Sequence, residues 1–348
     1  DFYSGIIMRA LGIPVEMFAL EGHRPNVVAR LDGNGRKNPL LIMGHTDTVN
    51  VDPSKWTHPP FSADRENGYI YGRGAIDDKD NLVAGLMLVL WVKRTAPALD
   101  RDVIFLAESG EEGAPEVGAQ FMIDQHFDAI DAEFCFAEGG GAERARGTPV
   151  RFTVGTPEKE PRPIELVAKG PSGHASVPLT SNSIAHLAAA VDRLAKWSPP
   201  VRLNETTRAY FAKLARSADT SAPSNVESVR RYRDLLGTDG AAIKAAESWL
   251  AVHEPEHWSM LHTSLSPTII SGGFRYNVIP SEAKATIDVR LHQDEDQAMF
   301  LDVVRKVIND PAIEVRWTRD RYRPAGASKL TTDAFTAIER QARAHSKK

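Results

Sequence analysis

The sequence has a single cysteine, Cys135, among 348 residues. One thiol allows no intrachain disulfide, and it excludes a zinc site built from several cysteines. An excess of one charge is missing as well. Lys plus Arg number 42 and Asp plus Glu 46, for a formal net charge of −4. That balance gives no basic footprint for nucleic acid and no polybasic membrane surface. No hydrophobic run is long: the longest, residues 82–92, is interrupted and too short to span a bilayer. The opening residues lack the charged-then-apolar pattern of a secretion signal. The chain begins at Asp1 rather than Met, so the compartment stays open: soluble, cytoplasmic or periplasmic/secreted. Repeats and low-complexity tracts are absent too. What is present is an ordinary globular composition, 42% hydrophobic and 25% charged, at a length that suits two domains of roughly 100–200 residues.

The first half alternates strand and helix signals. Residues 40–43, 103–107 and 133–137 are short apolar runs that predict buried strands. Residues 77–95 predict a helix, with Leu82, Leu86, Val89 and Leu90 at helical spacing and Asp78 and Asp80 at its positive end. Strand–helix–strand order with buried strands predicts an α/β domain, a mainly parallel sheet covered by helices. Residues 157–163 (PEKEPRP) predict a linker. Beyond it, residues 164–168 and 283–291 alternate apolar and polar side chains, as a sheet with one wet face requires. With a helix over 183–197, these predict a smaller α+β domain. Residues 204–262 are polar and helix-rich without a clear assignment. Residues 300–307 and then 313–317 return to a helix-then-strand pattern. The predicted organisation is a catalytic domain of residues 1–158 and 293–348, with residues 159–292 inserted as a lid or dimerisation domain.

Chemistry concentrates where predicted strands end. In GHTDTV (44–49), His45 and Asp47 share one face of an extended chain. In GRGAIDDK (72–79), two glycines precede Asp77 and Asp78 at a helix start, where one carboxylate suffices as a cap. In ESGEEGAPE (108–116), Glu111 and Glu112 are neighbours whose side chains diverge. Glu138, in FAEGGG (136–141), ends another strand. Taken alone, each segment also fits a plain role: a loop His with a capping Asp, an N-cap, a solvated acidic loop. Together they crowd carboxylates at one sheet edge, where cations relieve their repulsion. Mixed His and carboxylate donors suit zinc, manganese or cobalt.

These segments, in this order, resemble the zinc exopeptidase and amidohydrolase family that includes acetylornithine deacetylase, succinyl-diaminopimelate desuccinylase, carnosinase, aminoacylase and carboxypeptidase S. The likeness runs from about residue 26 to residue 290, and SKWTHPPFSA (54–63) with YGRGAIDDK looks most like the carboxypeptidase S-like branch. GPSGHASVP (170–178) and GGFRYNVIP (272–280) resemble two further segments of the family. The resemblance implies a zinc-exopeptidase-like fold and a dinuclear metallohydrolase of amide bonds, taking small peptides or N-acyl amino acids. It implies that His45 and Glu138 bind one metal, Glu112 the other, and Asp77 bridges both. Glu111 would be the general base, Asp47 would support the His45 side, and the Asp77–Asp78 peptide would be cis. His174 would stabilise the oxyanion across a homodimer formed by the inserted domain. Asn277 and Arg290 would contact substrate, Arg290 as a partner for its carboxylate. Two divalent ions follow, zinc first, with cobalt or manganese as substitutes. The family also places a His ligand near the C-terminus. After Arg290 the sequence offers His292 and His345, neither in a matching segment. The chain also starts inside what resembles the family's first helix, so it reads as a trimmed copy of a longer enzyme.

Three rivals can be weighed. His253 to His257 spell HExxH, but Pro255 stands between the two histidines and breaks the helix that motif needs. A non-catalytic binding module with the same fold would also suit the missing His. A nucleophilic hydrolase lacks its GxSxG elbow, and Cys135, inside an apolar strand, is expected to be a buried structural cysteine. His58, His126 and His186 are expected to be surface or packing residues.

Overall fold

The computed structural model describes residues 8–9, 11–95, 98–145, 148–217, 223–320, 322 and 326–345. Residues 1–7, where the resemblance places the end of a first helix, lie outside them. The chain divides into two compact units, Asp1–Thr153 and Val154–Lys348. Among the described residues no helix is long and apolar enough to cross a membrane.

The first unit holds strands β1 (Val15–Phe18), β2 (Asn26–Leu31), β3 (Leu40–His45), β4 (Asp64–Glu66) and β5 (Tyr69–Tyr71), then helix α1 (Lys79–Thr95). Strand β6 (Val103–Glu108), helices α2 (Ala119–Gln125) and α3 (Phe127–Ile130), and strands β7 (Phe134–Phe136), β8 (Gly141–Ala145) and β9 (Thr148–Thr153) follow. The main sheet has the order β1-β2-β6-β3-β7. Strand β3 lies parallel to β6 and to β7. Strand β2 is antiparallel to both β1 and β6. The sheet is therefore mixed, not mainly parallel. The parallel half is the one the apolar runs predict. Strand β2 escapes the sequence pattern because it is buried on both faces and Arg30 interrupts its apolar run.

Helices cover both faces. Leu82, Leu86, Val89 and Leu90 of α1 pack with Val27, Ala29, Ile42 and Phe105. Phe121, Met122 and Ile130 pack with Val28, Leu41, Ile104 and Leu106 on the other side. The alternation along β2, β3 and β6 thus fills two apolar layers, which is why β3 and β6 read as continuous apolar runs. In the described sheet β7 is an edge strand, and Cys135 on it is exposed. The expected burial of that cysteine does not hold, because no strand covers its outer side there.

The second unit contains β10 (Glu160–Pro161), β11 (Ile164–Lys169), β12 (Gly173–His174), α4 (Ser183–Lys196), α5 (Glu205–Ser217), α6 (Pro223–Leu236), α7 (Gly240–His253) and α8 (Pro255–Met260). It continues with β13 (Ser264–Gly272), β14 (Val278–Ile279), β15 (Glu282–Leu291), α9 (Gln297–Ile308), β16 (Ile313–Trp317) and α10 (Asp333–His345). Its sheet runs β10-β15-β11-β16, with β13 also on β15, and all pairings are antiparallel. Ala283, Ala285, Ile287, Val289 and Leu291 point to one core with Leu187 and Leu194 of α4 and Phe300 and Val304 of α9.

Two boundaries differ from expectation. Residues 297–317 do not return to the first domain: β16 pairs with β11. A helix-then-strand pattern carries no information on which sheet it joins, so this long-range pairing is invisible in the sequence. The predicted linker over 157–163 instead includes β10, and the division between units falls after Thr153.

Residues 204–262 form a helical cluster of their own around Phe211, Tyr232, Leu235, Ala246 and Leu250. Helix α7 ends at His253, and Pro255 opens α8. The ring of His253 stacks on Trp249 at 4.5 Å. His257 bonds Glu254 at 2.6 Å and Tyr210 at 3.0 Å. The two histidines therefore sit on different helices with different partners, and the HExxH letters build no ligand pair.

Candidate metal centre

Strands β3 and β6 end in register, with His45 opposite Glu108. Glu138 lies two residues beyond β7. Ligand sites in such sheets form beyond the carboxyl ends of the parallel strands, and the sequence-predicted acids collect there. Asp77 and Asp78, joined by a cis peptide, enter the same edge from the turn before α1.

His45 is buried. Its backbone N–H donates to Asp78 Oδ2 at 3.0 Å. This close approach depends on Gly44, where a Cβ would stand 2.5 Å from that oxygen. Asn81 holds the same carboxylate at 3.2 Å and also donates to the Met43 carbonyl. Asp78 is therefore a buried tie between the strand and the helix rather than the cap its position suggests.

The His45 ring is oriented from both sides. Nδ1 lies 3.1 Å from the Asp47 carbonyl. A carbonyl only accepts, so Nδ1 carries the proton and Nε2 faces the acids. Nε2 is 3.1 Å from Asp77 Oδ1 and 3.7 Å from Glu138 Oε2. These three donors lie within 4.8 Å of one another, the one such group among the described residues. An imidazole whose other nitrogen donates to the backbone is the usual form of a histidine metal ligand.

The Asp47 carboxylate does something its sequence spacing does not reveal. It accepts from the backbone N–H groups of Gly110, Glu111 and Glu112, at 2.8, 3.2 and 3.1 Å. It thereby fixes the loop that carries both glutamates to the end of β3. Burial opposes its ionisation, but the Gly110 and Glu112 bonds and the nearby His45 hold its pKa below the usual range.

The remaining electrostatics describe excess negative charge. Burial disfavours protonation of His45, yet the Asp77 bond and the charges of Asp47, Asp78 and Glu111 outweigh it and raise its pKa. Burial raises the Glu111 pKa, and Glu112, Asp47 and Asp77 add to it against His45. Burial likewise raises Glu138, helped by Glu111 and Asp78. Crowded carboxylates that destabilise one another, with a tautomer-fixed imidazole among them, fit a divalent cation. The side chain of Glu112 lies outside the three-donor group.

Glu108 has no counterpart in the sequence prediction, though an acid closing the apolar run VIFLAE is the available signal. It is buried, its Oε2 has no hydrogen-bond partner, and burial pushes its pKa up to about 7. A raised acid pKa means stability present below pH ~4.5 and lost as pH rises through about 7. Glu108→Gln should therefore stabilise the metal-free protein by about 3 kcal/mol at pH 8 and be neutral near pH 4.5. Urea midpoints at the two pH values measure this.

The predicted oxyanion and substrate residues lie in the second unit. His174 Nδ1 is 2.7 Å from the Ser176 hydroxyl. The carbonyl of Asn277 accepts from Ala175 N–H at 3.0 Å. Arg290 Nε donates to Asp288 at 3.0 Å. His126 packs on Phe18 and Phe121, His58 stacks on Tyr71, and His186 pairs with Asp310.

Residues 41–347 match the family described as peptidase family M20/M25/M40. The chain belongs to this family. Among M20 relatives, the N-fatty-acyl-amino acid synthase/hydrolase PM20D1 of Xenopus tropicalis is 27% identical over 321 residues, covering 90% of this chain and 58% of that protein. The probable carboxypeptidase S-like 2 of Dictyostelium discoideum is 31% identical over 310 residues, covering 86% of this chain and 57% of that protein. The chain thus spans under two thirds of the length of both. Among solved structures, the M20 family metallo-carboxypeptidase Sso-CP2 of Sulfolobus solfataricus superposes with a TM-score of 0.66 at 23% identity, over 99% of this chain and 77% of that one. This likeness shows the M20 fold.

Proposed function

We propose that the chain is a dinuclear metal-dependent hydrolase of amide bonds, acting on peptides with a free C-terminus or on N-acyl amino acids. The observation that carries this reading is the convergence of His45, Asp77 and Glu138 donor atoms within 4.8 Å. His45 and Glu138 would hold one ion, Glu112 the other, and Asp77 both. The donor set suits zinc, with cobalt or manganese as substitutes. Ions bound there would acidify water and polarise the substrate carbonyl.

The chain's own residues supply the rest. Glu111 takes a proton from the attacking water and returns it to the leaving nitrogen. Its carboxylate is destabilised by burial and by its acidic neighbours, which favours a group that must accept a proton. Asp47 positions Glu111 by its backbone. His174 donates to the developing oxyanion, and does so across a homodimer formed through the second unit. Asn277 and Arg290 contact substrate. Similarity to an N-fatty-acyl-amino acid synthase/hydrolase and to a probable carboxypeptidase S-like protein supports both an acyl-amino-acid and a peptide substrate.

One observation favours a second reading. The group is three donors without Glu112, which suits a chain that binds one ion and a ligand without turnover. The assay that separates the two follows leucine release from N-octanoyl-leucine by the zinc-loaded chain. Release abolished by a chelator and restored by zinc is expected. No release at any zinc concentration sinks the hydrolase reading.

A further inference from the structure

Arg290, the residue assigned to the substrate carboxylate, is not a free charge. Its Nε donates to Asp288 at 3.0 Å. The two stand two positions apart on one face of β15, and as a pair they are neutral. A carboxylate arriving at a neutral pair must compete with Asp288 and brings one uncompensated negative charge.

The missing positive charge is close by. Lys159 directly precedes β10. Its Nζ donates to the Ser259 carbonyl at 2.9 Å, the Ser259 hydroxyl at 2.8 Å, the His262 carbonyl at 3.3 Å and the Ser264 hydroxyl at 2.9 Å. All four acceptors are neutral. Among the described residues no carboxylate pairs with this half-buried ammonium. Ser264 is the register partner of Arg290 on β13, and Pro161 its partner on β10. Opposed side chains share a face, and Lys159 lies two positions before Pro161. Lys159 and Arg290 therefore occupy the same side of the sheet. Burial pushes the Lys159 pKa down to about 8, with Arg290 adding to the fall and Asp288 opposing it. His292 is the next titratable group on that side. Burial, with Arg202 and Lys159 against Asp294, lowers its pKa, so it adds no charge at neutral pH.

An ammonium withdrawn from water without a counter-ion is costly unless an anion joins it. Lys159, Arg290 and Asp288 together carry one net positive charge, which a single carboxylate cancels. We propose that Lys159 is a positioning residue for the substrate carboxylate: its unpaired charge beside the Arg290–Asp288 pair makes the site prefer an acid to a neutral end group. This rests on the hydrolase reading, in which Arg290 contacts substrate.

The test is calorimetric titration of the zinc-loaded chain in a Glu111→Gln background, which suppresses turnover. The two probes are N-octanoyl-leucine and N-octanoyl-leucinamide, which differ in the carboxylate. Lys159→Gln keeps donors without the charge, and should weaken the acid about tenfold while changing the amide by under about twofold. Lys159→Arg should keep the acid preference. Without substitution, the preference should hold near about pH 7 and shrink near about pH 9.5, as the ammonium loses its proton. In Lys159→Arg it should persist at both values, because a guanidinium does not titrate there. If neither variant folds, the pH dependence decides alone. A preference that survives in Lys159→Gln overturns the assignment. So do equal weakening of both probes, which marks a merely structural tie, and a preference flat with pH in the unsubstituted chain. Loss of the preference in Arg290→Gln with Lys159→Gln unchanged contradicts this assignment and spares the reading it rests on. A wild-type chain with the Lys159-dependent preference but no leucine release contradicts the hydrolase reading and leaves the assignment standing.

Discussion

Glu111→Gln should lower kcat for amide hydrolysis by about 10²–10⁴-fold, with zinc content unchanged. Glutamine keeps the shape and the backbone bond to Asp47 at 3.2 Å, so the loop stays in place. It removes only the ability to accept a proton. The acidic neighbours that raise the Glu111 pKa also make the substitution harmless to folding, since one mutually repelling charge disappears. Turnover rates and elemental analysis of the same preparation check both halves. Wild-type turnover would mean that the base lies elsewhere, and loss of zinc would mean that Glu111 is a ligand.

Asp77→Ala should have the largest effect on metal binding. Asp77 is the acid nearest Nε2 of His45, at 3.1 Å, and in the proposed arrangement it serves both ions. Its side chain is 60% exposed, so truncation removes little packing and should change stability by under about 0.5 kcal/mol. Without zinc, the variant should melt near the wild-type temperature, because relief of carboxylate repulsion offsets the lost bond to His45. The zinc-induced rise in melting temperature, which measures binding to the folded state, should disappear. A variant that still gains stability from zinc like the wild type would show that Asp77 is not a ligand.

The contrast between these residues shows what the sequence carries. The apolar runs at 40–43 and 103–107 mark strands because burial on both faces leaves a local signature, whereas the run at 133–137 forms a largely exposed edge strand. The acids that follow them are legible for the same reason. Asp47 is visible as one of a pair with His45, but its grip on residues 110–112 depends on partners some sixty positions away. Asp78 reads as a cap because local spacing cannot show that a glycine opens a path to the His45 backbone. The placement of residues 297–317 is hidden in the same way, since strand order is set by non-local pairing.

The most direct test of the central claim is metal content per chain, by elemental analysis of protein purified without chelator and dialysed against zinc. The account predicts a ratio near two in the wild type. A ratio near zero after zinc is restored would contradict it, because the crowded carboxylates and the tautomer-fixed His45 would then have no cation to serve.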